Sequence, residues 1–125
     1  MMSKTRPIIL LFSYGTLQRA AVQLATFGRE FKSQPDALPG HRIAKVAITD
    51  PAVRAASGLS HNANAVPSPD PGDAIEGTVL EITEQELHAA DKYEATADYH
   101  RIRVTLRSGN QAWVYVNEPS ARASR

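Results

Sequence analysis

The stretch Ile8-Ile9-Leu10-Leu11-Phe12-Ser13-Tyr14-Gly15-Thr16-Leu17 decides the fold. Five apolar residues in a row, Ile8 to Phe12, predict a strand buried on both faces. Ser13 to Thr16 breaks the run. Leu17, Ala21, Leu24 and Phe27 or Phe31 then recur at helical spacing, which predicts a helix to about Phe27. Gly28 suits its end. The chain therefore opens with a strand, a glycine-bearing turn and a helix.

Working outward, Gln34 to Gly40 holds two prolines and a glycine and reads as loop. Arg42 to Ile48 reads as a strand. Thr49 to Asp73, punctuated by Pro51, Pro67, Pro69 and Pro71, reads as a long loop, a rare feature in a small domain and often a functional one. Ile75 to Ile82 is a strand whose Gly77 marks a bulge or a close backbone approach. Thr83-Glu84-Gln85-Glu86 is a capping box that opens a helix to about Tyr93 or Glu94. Tyr99 to Arg107 alternates, Ser108-Gly109-Asn110 turns, and Ala112 to Asn117 returns as the hairpin partner. The tail from Glu118 is polar. The order predicts an α+β class with a mixed sheet.

At 125 residues the chain is one domain, with a core spanning about residues 8–117. The formal net charge is +1, which argues against a general nucleic-acid binder. The balance is uneven: residues 70–98 carry nine acids against one base. With no cysteine there is no disulfide, thiolate nucleophile or thiolate-held metal. His41, His61, His88 and His100 make no metal-ligand spacing on one helix. The first apolar run is too short for a membrane span or for an export signal's apolar region, so a cytoplasmic protein without membrane contact is expected.

One carboxylate stands apart. At roughly 100° per residue, Glu94 falls on the same helical stripe as Leu87 and Ala90, against the core and near the helix C-terminus. Burial and the dipole both raise a carboxylate's pKa, as acid–base catalysis near neutral pH requires. The alternative has Glu94 past the helix end, in water or paired with Arg101. The turn from Ser13 to Leu17 offers backbone N–H groups at a helix start, where carboxylates and oxyanions bind, and Gly15 permits close approach.

Phe12-Ser13-Tyr14-Gly15-Thr16-Leu17 resembles the F-x-Y-G-(S/T)-L signature of gamma-glutamylcyclotransferases. Ala90-Asp91-Lys92-Tyr93-Glu94-Ala95, followed by Tyr99-His100-Arg101, is similar to that family's L-D-x-Y-E-G…Y-x-R segment. Leu38 to Arg42 and Ile75 to Ile82 are similar to its G-Y-R and V-x-G-x-L-Y-x-I strands. By size the chain resembles the gamma-glutamylamine-cyclotransferase-like branch. Ala90 and Ala95 depart from the family's Leu and Gly.

The resemblance implies a small mixed β-barrel with short flanking helices. It implies cyclisation of a gamma-glutamyl amine or amide to 5-oxoproline, with Glu94 as acid/base. Tyr14, Gly15, Thr16, Leu17, Tyr99 and Arg101 would bind the small-molecule gamma-glutamyl substrate, with no cofactor and no metal. A non-catalytic metabolite-binding module on the same fold stays open, as does a tailoring enzyme that removes a gamma-glutamyl protecting group from a natural product. In the latter, selectivity would lie in the 49–73 loop.

Overall fold

A computed structural model describes residues 8–47, 51, 61–96 and 99–117. Strand β1 (Ile9–Ser13) leads through a single 3₁₀ turn (Thr16–Gln18) to helix α1 (Ala20–Phe27). Strands β2 (Ser33–Pro39), β3 (His41–Ala47), β4 (His61–Pro67) and β5 (Ala74–Ile82) follow. Helix α2 (Glu84–Ala95) precedes the hairpin of β6 (Tyr99–Thr105) and β7 (Gln111–Asn117).

Five strands form one mixed sheet in the order β2-β5-β1-β7-β6, and β3 pairs with β4 in a separate ribbon. β1 is central. It runs antiparallel to β5, with Leu11 opposite Leu80, and parallel to β7, with Leu11 opposite Trp113. Both its faces are covered, as the unbroken apolar run requires. Leu11 is 0% exposed and packs with Leu80, Ile82, Leu87, Ala90 and Tyr115 on the side of the helices. Phe12 packs oppositely with Leu38, Val79, Val114 and Val116.

The second face is covered by the β3–β4 ribbon. β2 continues into β3 through Gly40, and β4 continues into β5 through residues 68–73. The ladder pairs Pro39 with Ala74 on one side of this junction and His41 with Pro67 on the other. One residue therefore stands against six, and the two-stranded arm bends out of the main sheet there.

Side chains dock the arm's inner strand onto the sheet. The Asn64 amide donates to the Asn117 carbonyl at 2.7 Å and accepts from the Asn117 N–H at 2.9 Å. The Tyr14 hydroxyl accepts from the Ala65 N–H at 3.0 Å and donates to the Tyr115 carbonyl at 2.7 Å. The Tyr99 hydroxyl donates to the Ala63 carbonyl. The α+β class and the mixed sheet with flanking helices thus hold. The barrel-like closure is made by these side chains, while the sheet remains an open ladder edged by β2 and β6.

Three sequence expectations need correction. Of residues 34–40, expected as loop, all but the turn residue Gly40 belong to the edge strand β2. An edge strand tolerates Pro35 and Pro39 because one side of it has no ladder to complete. Residues 61–67, expected within the long loop, are strand β4. The rest of that loop between 52 and 60 lies outside the described residues. Finally, the helix expected from Leu17 is interrupted at Arg19, whose φ of −84° and ψ of 132° are extended. The break rotates the face of α1, so Gln23 is buried at 4% exposure while Leu24 is 49% exposed. The Gln23 amide is satisfied at both ends: it donates to the Leu17 carbonyl at 2.8 Å and accepts from the Phe31 N–H at 2.9 Å.

Other expectations match closely. Gly28 ends α1 with φ +80°, a left-handed cap that glycine adopts without strain. The Thr83 capping box is complete: Thr83 Oγ1 accepts from the Glu86 N–H at 3.2 Å, and Glu86 accepts from the Thr83 N–H at 2.9 Å. Gly77 is a close approach, since a Cβ there would sit 2.5 Å from the Ser13 carbonyl oxygen.

Candidate active site

The carboxyl ends of the parallel strands β1 and β7 lie together, and the start of β6 lies beside β7's end. Helix α2 packs across this end of the sheet with Leu87 and Ala90 inward. The same stripe brings Glu94, the penultimate residue of α2, to a partly buried position. Among the described residues no hydrogen bond or ion pair reaches its carboxyl group. Burial pushes its pKa up to about 7. The helix C-terminus adds to the disfavour of an anion there.

Three phenols share the field of that carboxylate. Tyr14, Tyr99 and Tyr115 are each raised in pKa, first by burial and further by the charge of Glu94, Tyr99 to about 12. Their hydroxyls are therefore protonated donors, already directed to the Tyr115 carbonyl, the Ala63 carbonyl and the Asp91 carboxylate respectively.

The turn after β1 meets α2 directly. Thr16 Oγ1 and the Tyr93 hydroxyl lie 3.0 Å apart. Three carbonyls of the turn are engaged: Gly15 by Gln18, Thr16 by the Arg19 N–H, and Leu17 by Gln23. The Thr16 and Leu17 N–H groups have no acceptor among the described residues, as the first donors of a helical turn lack intrahelical partners. The Gly15 N–H makes only a long contact of 3.4 Å to Ser13 Oγ. Around Gly15 the space is open, because a Cβ built there would touch nothing within 4 Å.

Arg101 does not pair with Glu94. Its Nε donates to Asp91 Oδ1 at 2.8 Å, and its guanidinium stacks 4.3 Å from the Trp113 ring. The Tyr115 hydroxyl donates to the same Asp91 oxygen at 2.7 Å. Asp91 and Tyr115 had no assigned role from sequence. The Trp113/Tyr115 alternation on the last strand was the available signal, because it puts both rings on the face that α2 covers.

No group of three His, Asp or Glu side chains among the described residues could hold a metal ion. No described helix is long and apolar enough to cross a membrane.

A mixed α+β sheet with a half-buried carboxylate at a helix end, next to a glycine turn, defines a recognisable class. The family model for gamma-glutamyl cyclotransferase, AIG2-like proteins matches residues 11–125. The chain belongs to that family.

Solved structures share the fold. One is the solution structure of an Arabidopsis thaliana protein, with a TM-score of 0.67 at 24% identity, covering 93% of this chain and 66% of the other. A second Arabidopsis thaliana solution structure gives 0.67 at 20% identity, covering 94% and 72%. A gamma-glutamyl cyclotransferase gives 0.66 at 16% identity, covering 89% and 67%. The chain thus spans about two thirds of the length of the first and third of these structures. No curated protein matches it in sequence.

Proposed function

We propose that this protein cyclises a gamma-glutamyl amine or amide to 5-oxoproline and releases the amine. The observation that carries the reading is Glu94: a partly buried carboxyl with no bonded partner among the described residues, raised to about 7, at the end of the helix that touches the Thr16 turn. A group titrating there can both accept and return a proton near neutral pH.

In this mechanism Glu94 takes a proton from the substrate's alpha-ammonium group. The freed amine attacks the gamma-carbonyl carbon, forming the ring C–N bond. The exocyclic C–N bond then breaks as Glu94 returns the proton to the departing nitrogen, and the ring nitrogen gives up its second proton to the released amine, leaving a neutral lactam and an ammonium. Atoms balance without water or cofactor. The N–H groups of Thr16 and Leu17, with Gly15 giving access, would hold the substrate carboxylate or the developing oxyanion. Tyr14, Tyr99 and Arg101 shape the walls. Holding the chain curled as a near-attack conformer favours ring closure.

The test is 5-oxoproline release from a panel of gamma-glutamyl amines and amides. The parent releases 5-oxoproline from at least one, and Glu94→Gln loses at least about 10²-fold in turnover. Binding without release by the parent would instead make the protein a metabolite-binding module, and equal turnover by both proteins overturns the role of Glu94.

A further inference from the structure

Helix α1, Ala20-Ala21-Val22-Gln23-Leu24-Ala25-Thr26-Phe27, contains no charged residue. A helix on a protein's surface ordinarily turns its polar side chains toward water. Here the order is reversed. Gln23 is buried, Val22, Thr26 and Phe27 are partly buried, and Leu24 is 49% exposed. At roughly 100° per residue, Ala20, Ala21, Leu24 and Ala25 fall within an arc of about 140°, and the Gly28 cap continues it. All five are exposed. A lone exposed leucine is ordinary. A whole helix face on which no side chain hydrogen-bonds to water marks an interaction surface.

Charges of opposite sign stand at the two ends of this face. Arg19 precedes α1, Glu30 follows its cap, and both are exposed. Among the described residues no ion pair engages either. Arg29, between the cap and Glu30, is neutralised by Glu86 through bonds of 2.6 and 2.8 Å. The face is therefore complementary to itself. A second α1 can be laid antiparallel across the first, with a two-fold axis between Leu24 and Ala25. Leu24 then comes opposite the partner's Ala25, Ala21 opposite the partner's Gly28, and Arg19 opposite the partner's Glu30, and each contact occurs twice. The partner's Arg19 meets the carbonyl end of α1 and the partner's Glu30 meets its N–H end, the signs that a helix dipole favours.

We infer that the exposed face of α1 is a docking surface for a second copy of this chain, giving a weak antiparallel helix-to-helix dimer. Small side chains on both copies let the helices approach closely and seat Leu24 between them. The face is only about 12 Å long, at about 1.5 Å per residue. That puts the interface at the low end of the size range, where complexes are transient. Association in the micromolar to millimolar range is the expected strength. The inference is independent of the cyclisation reading, and failure of either leaves the other standing.

The test is analytical ultracentrifugation of the full chain from low micromolar to millimolar concentration. The weight-average mass is expected to rise from 13.6 kDa toward twice that. Leu24→Glu puts a charge at the centre of the face and should hold the chain at the monomer mass. Arg19→Glu and Glu30→Arg each set like charges opposite one another twice, and each should weaken the dimer by about fivefold or more. The double reversal restores opposite signs and should recover most of that loss. Circular dichroism and melting temperature show that each variant is folded. The chain has no cysteine, so Ala25→Cys gives an independent check. Near the two-fold axis it should form a disulfide-linked dimer on mild oxidation, whereas Ala21→Cys, about 10 Å from its copy along the helices, should not. A parent that stays monomeric throughout overturns the proposal. So does a dimer indifferent to Leu24→Glu, which would use another face, and so does a double reversal no tighter than either single one, which would remove the antiparallel register. If Leu24→Glu fails to fold, the charge reversals and the two cysteine variants decide in its place.

Discussion

Thr16 Oγ1 and the Tyr93 hydroxyl share a hydrogen bond of 3.0 Å, which ties the turn after β1 to the residue preceding Glu94. The two halves of the candidate site lie 77 residues apart in sequence and meet at this contact. Because the pair is exposed, its loss should cost at most about 1 kcal/mol of stability. Tyr93→Phe is therefore expected to melt nearly as the parent does but to bind a gamma-glutamyl ligand more weakly. Calorimetric titration checks this, and equal affinity would separate the contact from the site.

Glu94 sets a pH-dependent stability. Its folded pKa, about 7, lies above the ordinary glutamate value of 4.5, so the folded state holds the proton more tightly than the unfolded chain. Stability consequently falls as pH rises from the unfolded pKa through the folded one, then levels off. Glu94→Gln removes that loss. The variant should melt higher than the parent at pH 8 and equally at pH 4. Thermal scans at the two pH values test the sign.

The same ionisation governs rate. The mechanism begins with carboxylate, so kcat/KM should rise with pH through about 7. A profile flat from pH 5 to 8 would mean that another group takes the proton.

Gly15 and Gly77 predict contrasting outcomes. At Gly15 a side chain meets open space, and its φ of −128° suits any residue. Gly15→Val should leave the melting temperature nearly unchanged and weaken ligand binding, because the added bulk occupies the approach to the turn. At Gly77 a Cβ collides with the Ser13 carbonyl and the Phe12 ring. Gly77→Ala should lose about 1–3 kcal/mol, as overpacked cores do. Denaturant unfolding of both variants separates the two cases.

Much of this was legible in residues that obey local rules. The Ile8–Phe12 run, the Thr83 capping box, the Gly28 stop and the Ser108–Asn110 turn each act through near neighbours, and each appears where expected. Glu94 was legible for the same reason, since helical geometry alone puts it beneath Leu87 and Ala90. What escaped depends on partners distant in sequence. Pro35 and Pro39 read as loop until β5 is seen to pair with only one side of their strand. His61 to Pro67 is polar enough to read as loop, and it becomes a strand by pairing with β3 and hooking Asn64 onto Asn117. Gln23 is buried against the pattern because its amide caps two backbone groups that nothing local would satisfy. Asp91 has no local signal for a role, because its partners Arg101 and Tyr115 converge on it from the hairpin.

The position of β1 has a consequence for how the protein is made. This strand, the most apolar segment of the chain, precedes every other strand of the domain, yet its two neighbours are β5 and β7. Its parallel partner lies about a hundred residues downstream, at Trp113 and Val114. A growing chain therefore carries Ile9 to Phe12 unpaired until β5 has left the ribosome, and open on its other edge until β7 has, so folding must wait for distant contacts. An unpaired apolar strand in that interval is a site for self-association. Synthesis rate and chaperone supply should accordingly govern soluble yield more strongly than the stability of the finished fold, and a circular permutant that begins at β6 would present β7 before β1 and shorten the exposure.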